Sequence, residues 1–260
     1  MPTIVALVKH VPDTWSTKTL EDDHTLDRTS VDNVIDEVNE YSVEQALRLR
    51  DDNPDAGFKV VALTMGPAQA DEALRKALAM GADDAVLVSD DSLAGADALS
   101  TAWTLNAALN KLDDVQLITA GTEASDASTG LLTGLLAEYR QLPTLTALHK
   151  VELVDGTLHG ARDDARGTWE LKAPLPAIVS VTDKSDKPRF PNFKGLMAAK
   201  KTEITTFSLA DLGIEAIAPT TAVTAAEKRP PRTAGEVISE PNPQDAAKKI
   251  ADFLSAKNLI

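Results

Sequence analysis

Cysteine is absent from the 260-residue chain. Disulfides, thiolate zinc sites, iron–sulfur ligation and thiol catalysis are therefore excluded, and any redox chemistry must come from a bound group. Aromatic residues are scarce at 4% of the chain, so each phenylalanine placed outside an obvious core asks for a reason. Long apolar runs are missing as well. None reaches the roughly 18 residues that a membrane span needs, and the opening MPTIVALVKH lacks the charged start and long apolar core of a signal peptide. The expectation is a soluble, cytoplasmic protein that is not an integral membrane protein. Positive charge is in deficit, with 26 Lys and Arg against 40 Asp and Glu and a formal net charge of -14. Such a surface repels a phosphate backbone, which argues against general nucleic-acid binding.

The usual enzyme signatures are missing too: there is no G-x-G-x-x-G, no phosphate-loop lysine motif, no nucleophile elbow and no H-E-x-x-H. His10, His24, His149 and His159 stand without ligand spacing and read as surface or strand positions. Glu21-Asp22-Asp23-His24 reads as a solvated acidic loop ahead of a cation site. No catalytic acid, base, nucleophile or metal ligand is assigned.

What is present is a regular alternation. Short β-rich runs at 3–8, 59–65, 84–89 and 115–121 are separated by helical patterns at 41–50, 67–80 and 96–112, with another at 131–139. Strand, helix, strand, helix predicts a parallel sheet, and near-continuous apolar strands predict helices on both of its faces. In the clearest helix, Ala70, Ala73, Leu74, Ala77 and Leu78 form one apolar stripe opposite Asp71, Glu72, Arg75 and Lys76. Pro67 suits the first helical position and Gly81 the close.

From about residue 144 the pattern changes. TALHKVELV and TLHGAR flank Asp155-Gly156, a two-residue hairpin signal, and PAIVSV (176–181) reads as a further strand. Beyond Gly213 the chain is punctuated by prolines until a last helix starts with Asn242 as N-cap and Pro243 behind it, with Ala246, Ile250, Phe253 and Leu254 on one face. The fold class expected is thus α/β, a doubly wound, mainly parallel sheet with an added β-hairpin region. Residues 1–213 form this domain, and 214–260 form an extended C-terminal arm plus helix. A flexible linker with a frayed terminus is the competing reading of the arm.

Two segments carry functional chemistry. In GTEASDASTGLLTG (121–134) a strand runs into small residues and then a helix, expected to begin near Ser128 or Thr129. Small residues let a ligand approach the backbone, and the free amides of a first helical turn favour an anion such as phosphate. An ordinary loop with Asp126 or Ser128 capping the helix is the alternative. In a 3-2-1-4-5 sheet, the loops after the first and fourth strands flank the switch-point crevice, so that residues near Leu7 and Gly121 face one nucleotide. The other segment is KPRFPNFKGLMAAKK (187–201), with five basic residues, no acid and two of the chain's five phenylalanines. Its Pro, Asn and Gly argue for a loop, where two rings find little interior, so a protein docking site is favoured over a solvated basic loop or local core.

Taken together, VALTMGPAQADEALRKALAMGAD (61–83), LITAGTEASDASTG (117–130), KPRFPNFKGLMAAKK and PPRTAGE (230–236) resemble the β subunit of electron transfer flavoprotein, and the similarity runs over nearly the whole chain. The resemblance implies an adenine-nucleotide-hydrolase-like domain in a heterodimer with an α subunit. That partner supplies most of the FAD pocket, while the β subunit holds a structural AMP. Carried over by position, the AMP contacts fall at Leu7, at Asp36, Glu37, Val38 and Asn39, and at Met65. They continue along Gly121, Thr122, Glu123, Ala124, Ser125, Asp126, Ala127, Ser128, Thr129, Gly130, Leu131 and Leu132. Many relatives read Asn-Pro-Phe where this chain has Asp36-Glu37-Val38.

The basic segment resembles the loop that anchors partner dehydrogenases. Phe193 falls at the apolar anchor, with Phe190, Leu196 and Met197 beside it, and Ala198 stands where some members have lysine. Arg162 and Asp163 resemble an arginine and an acid near the flavin that help control access and domain position, the acid here being aspartate in place of the familiar glutamate. The implied function is electron carriage from flavoprotein dehydrogenases, such as acyl-CoA dehydrogenases, to a quinone-linked oxidoreductase, with no bond-making chemistry of its own. Alternatives are a bifurcating-type β subunit with FAD in place of AMP, and a nucleotide-binding signalling module resembling universal stress proteins.

Overall fold

The computed structural model describes every residue except 234 and 236, so those two positions of the PPRTAGE stretch lie outside the described residues. It contains two compact units, Met1–Thr224 and Ala225–Ile260.

In the first unit the chain runs through β1 (Thr3–Leu7), β2 (His10–Pro12), β3 (Asn33–Ile35), α1 (Glu37–Asp52), β4 (Lys59–Met65), α2 (Asp71–Met80), β5 (Asp84–Val88), α3 (Ala98–Leu109), β6 (Val115–Gly121) and α4 (Leu132–Arg140). It continues through β7 (Thr144–Leu148), β8 (Lys150–Val154), β9 (Thr157–Asp164), β10 (Gly167–Pro174), β11 (Ala177–Val181), α5 (Phe193–Lys201), β12 (Ile204–Phe207) and α6 (Leu209–Leu212). Seven strands form one parallel sheet in the order β12-β5-β4-β1-β6-β11-β7. Its centre, β5-β4-β1-β6, is the expected 3-2-1-4 arrangement. Beyond β6 comes β11, the further strand expected at 176–181, with β7 outside it, and β12 extends the opposite edge.

The strands are buried on both faces, as the apolar runs predict. Ile4 and Ala6 of β1 pack with Val60 and Ala62 of β4 under Leu47 of α1 and Leu74 of α2. Val5 and Leu7 face the other way, with Val61 and Leu63, under Leu105 of α3 and Leu136 of α4. Period-two alternation thus feeds two cores from the same strands, and each fully buried leucine contributes about 1.5–3 kcal/mol of burial energy.

The expected hairpin is present. Asp155 and Gly156 both take positive φ, 49° and 73°, joining β8 to β9 in a three-stranded antiparallel sheet completed by β10. The stretch TALHKVELV is not one strand, however. Ala147 adopts φ 57° and the register of β11 against β7 shifts between Val179 and Val181, so β7 stays in the parallel sheet while β8 leaves for the antiparallel one. The α2 stripe is buried throughout, but a 3-10 turn over Ala68–Ala70 precedes the helix and Pro67 stands ahead of it in extended conformation. Gly81 closes α2 at φ 128°, its amide donating to the Ala77 carbonyl.

More than half of the basic segment, Phe193–Lys201, is helix rather than loop. Asn192 caps α5 by accepting from the Gly195 amide at 2.8 Å, and Arg75 of α2 donates to the carbonyls of Ala199 and Thr202 at the other end, both at 2.6 Å. Capping at both ends outweighs the Pro-Asn-Gly composition. Gly195 lies against the Ala79 backbone so closely that a methyl there would overlap the carbonyl oxygen. Gly195→Ala is therefore expected to push α5 off α2 and to cost about 1–3 kcal/mol, read as a lowered midpoint in denaturant unfolding.

In the second unit the final helix α7 (Pro243–Ala256) starts as expected, with Asn242 accepting from the Gln244 amide at 3.0 Å and Pro243 in the first turn. No residue of α7 is buried; Ile250 and Phe253 are about half exposed. No described helix of the chain is long and apolar enough to cross a membrane.

Candidate nucleotide crevice and docking face

β1 and β6 are sheet neighbours whose chains wind away in opposite directions, so a crevice opens beyond their carboxyl ends. Leu7 ends β1 and is buried; Met65 ends the adjacent β4, half-buried. Gly121 ends β6, and a methyl on it would come within 2.7 Å of Asn39 Nδ2 and 3.0 Å of Val38 Cγ1. Only glycine lets the start of α1 approach this closely.

Asp36, fully buried, holds α1 and the loop after β6 together. Its Oδ1 accepts from the Val38 amide at 3.2 Å as N-cap, and its Oδ2 accepts from the Ser125 amide at 2.7 Å. Asn39 Oδ1 accepts from the Lys9 amide at 2.8 Å. The structure thus brings Asp36, Val38, Asn39, Gly121 and Ser125 into one corner, while Glu37 is exposed.

The helix after β6 begins at Leu132, not near Ser128 or Thr129. Ser128 and Gly130 take φ 47° and 61°, left-handed values that prevent an earlier start. Neither Asp126 nor Ser128 caps α4, which has no side-chain cap at all. Thr122 donates its amide to the Val181 carbonyl, and the amides of Ala127 and Ser128 donate to the Ala124 carbonyl. Among the described residues, the amides from Thr129 to Gly134 donate to no group of the chain. The run from Ala127 to Leu131 is exposed. Several unpartnered amides at the positive end of a helix dipole, on an accessible loop, make an anion-binding arrangement.

Asp126 has another task. Its side chain is fully buried, accepting from Lys9 Nζ at 2.8 Å and from an Arg28 guanidinium nitrogen at 2.5 Å. Burial pushes the carboxyl up, but Lys9 and then Arg28 outweigh it and hold the group below its usual range. Both acids of the corner are thus already engaged, Asp36 by amides and Asp126 by cations. Sequence reading missed Lys9 and Arg28, which lie 117 and 98 residues from Asp126. No local pattern announces such a pairing. It also missed the β2–β3 ribbon that frames the loop carrying Arg28.

The acidic loop shows ordinary turn chemistry, Asp23 accepting from the amide and hydroxyl of Thr25. Among the described residues no cluster of His, Cys, Asp or Glu is arranged for a metal.

On the candidate docking face, Phe190 is 94% and Phe193 79% exposed, with Leu196 and Met197 also exposed one turn on. Arg189 turns inward onto Glu44 and Asp51. The cations left to the segment are therefore Lys187, Lys194, Lys200 and Lys201, none ion-paired among the described residues. Arg162 and Asp163 lie on β9: Arg162 donates to Thr146 Oγ1 at 3.2 Å, whereas Asp163 accepts from Thr168 Oγ1 at 2.7 Å and faces His149 at 3.4 Å. Adjacent strand residues point to opposite faces, so the two side chains meet different neighbours.

Fold and crevice define a doubly wound α/β protein of the kind that takes its ligand at the sheet's switch point. The Electron transfer flavoprotein domain matches residues 23–212. The chain is 44% identical to electron transfer flavoprotein subunit beta of Mycobacterium tuberculosis and 43% identical to that of Mycobacterium leprae, each alignment covering 100% of both chains. It is 31% identical to the caffeyl-CoA reductase-Etf complex subunit CarD of Acetobacterium woodii, over 99% of both. The chain belongs to the electron transfer flavoprotein family, as a β subunit. Its role is electron transfer alongside an α-subunit partner, and the signalling-module reading is set aside.

Proposed function

We propose that this β subunit holds AMP in the crevice between β1 and β6 and works in the cytoplasm as an electron carrier without bond-making chemistry of its own. FAD, carried mainly by the α subunit, supplies the redox chemistry. Flavoprotein dehydrogenases such as acyl-CoA dehydrogenases donate, and a quinone-linked oxidoreductase accepts. The observation that carries the nucleotide assignment is the run of unpartnered amides from Thr129 to Gly134 at the uncapped start of α4. A phosphate there satisfies them, and Leu7, Asp36 to Asn39, Met65 and Gly121 to Leu132 are the residues around it. Phe193 anchors the donor, with Phe190, Leu196 and Met197 completing its apolar contact, and Arg162 and Asp163 serve the α-subunit side.

The prolines after Gly213 and the unburied apolar face of α7 support residues 214–260 as an arm laid on the α subunit, which burial within its own unit does not satisfy.

A second reading, FAD in the same crevice, draws support from the likeness to a subunit of a caffeyl-CoA reductase complex. One experiment separates them. The heterodimer is purified gently after co-expression, heated to release its nucleotides, and the supernatant is resolved by chromatography. One AMP for each FAD is the expected result. Two FAD and no AMP overturns the cofactor assignment, and no adenine nucleotide beyond the one FAD removes the crevice site.

A further inference from the structure

Between the end of β11 at Val181 and the cap of α5 at Asn192 the chain is irregular, yet it delivers Phe190 and Phe193 to fixed positions. Arg189 supplies the anchor. Its Nε donates to Glu44 Oε2 at 2.7 Å and a terminal nitrogen to Glu44 Oε1 at 3.0 Å, a two-pronged fork. The Arg189 backbone amide adds a third bond to Oε2 at 3.1 Å, and the other terminal nitrogen donates to Asp51 Oδ2 at 2.8 Å. Glu44 sits in the middle of α1 with its side chain 6% exposed. A carboxylate so buried is costly unless paired, and this one is paired by a guanidinium 145 residues away along the chain. The neighbouring Arg48–Asp186 pair, at 3.1 Å, is nearly half exposed on both sides and holds the segment far less firmly.

We infer that Glu44, acting through Arg189, is a positioning residue for partner docking: it fixes the segment so that Phe190 and Phe193 meet a dehydrogenase already in place. Arg189 is thereby withdrawn from the basic face and serves as a latch rather than as a steering charge. A docking element held before encounter loses less conformational freedom on binding, so the latch acts on affinity and not on the electron-transfer step. The inference rests on the docking role proposed for Phe193.

The test uses the co-expressed heterodimer carrying Glu44→Gln, with two readouts. Native-state trypsin cleavage of the Arg189–Phe190 bond, followed by mass spectrometry, reports the latch itself and is expected to quicken about tenfold. Steady-state electron transfer from a reduced acyl-CoA dehydrogenase is expected to show KM raised about tenfold, with the limiting rate and flavin spectrum retained. Asp51→Asn removes only the outer partner of the same guanidinium; it keeps the test decisive if Glu44→Gln folds poorly, and both readouts should move the same way by a smaller factor. Cleavage at the wild-type rate in both variants overturns the latch. Faster cleavage with unchanged KM, while Phe193→Ala raises KM, shows a latch that does not serve docking and overturns the positioning role. If Phe193→Ala also leaves KM unchanged, the docking reading has failed, and the inference built on it falls with it.

Discussion

Phe193→Ala, introduced into the heterodimer, is expected to lower kcat/KM for electron uptake from an acyl-CoA dehydrogenase about 30-fold, corresponding to an anchor loss of about 2 kcal/mol. The flavin absorption spectrum should not change, because the proposed FAD is carried mainly by the α subunit and the substitution lies on the exposed face of α5. The physical case rests on solvent. A phenylalanine 79% exposed, beside another at 94%, forgoes burial worth about 1.5–3 kcal/mol in the free protein and regains it only against a partner. Four lysines of the same segment, with Arg189 diverted, are the charges available for steering under the proposed docking role. Raising ionic strength should therefore slow encounter with an acidic partner surface in stopped-flow mixing, while the loss from Phe193→Ala persists at high salt. Equal kcat/KM for the variant and the wild type under subsaturating donor would remove Phe193 from the interface.

Asp126→Ala is expected to destabilise the chain by about 2–4 kcal/mol, seen as a lowered unfolding midpoint, and to release the crevice nucleotide on gel filtration. The variant leaves Lys9 and Arg28 facing each other across a cavity with no anion between them. Each cation is about two-fifths exposed, which keeps the loss below that of a wholly buried pair. Acid should mimic the substitution. The Asp126 carboxyl is held below its usual range in the folded protein, so its contribution is full above the unfolded carboxylate value of about 3.9 and fades as pH falls through the lower folded value. A variant that keeps both its midpoint and its bound nucleotide would show that the two cations organise nothing.

The parallel core was legible because burial on both faces writes itself into local composition: the runs that became β1, β4, β5 and β6 are apolar through their centres, with polar residues mostly near the ends. Asp155-Gly156 was legible for a similar reason, since few residues tolerate consecutive positive φ. What stayed hidden depends on distant partners. The place of β11 between β6 and β7 is a matter of topology, which no run of residues encodes. The split of TALHKVELV at Ala147 follows from two sheets competing for one apolar stretch. In the crevice, the small-residue loop was visible and the start of its helix was misplaced, because Ser128 carries a left-handed backbone that its side chain does not advertise. Nothing local marks Lys9, Arg28 or Glu44, and their roles emerge only when residues about a hundred positions or more away fold against them.

The insertion of β11 also sets an order of events during synthesis. Until Ala177–Val181 has left the ribosome, β6 presents an unpaired, largely apolar border to solvent, and β7, though already made, has nothing to join. The antiparallel hairpins must be completed first, so for some sixty residues of elongation after β6 the nascent chain exposes a template on which other strands can add. Chaperone contact concentrated in that window, rather than spread along the whole polypeptide, is the outcome this strand order predicts for pull-down of chaperone-bound nascent chains.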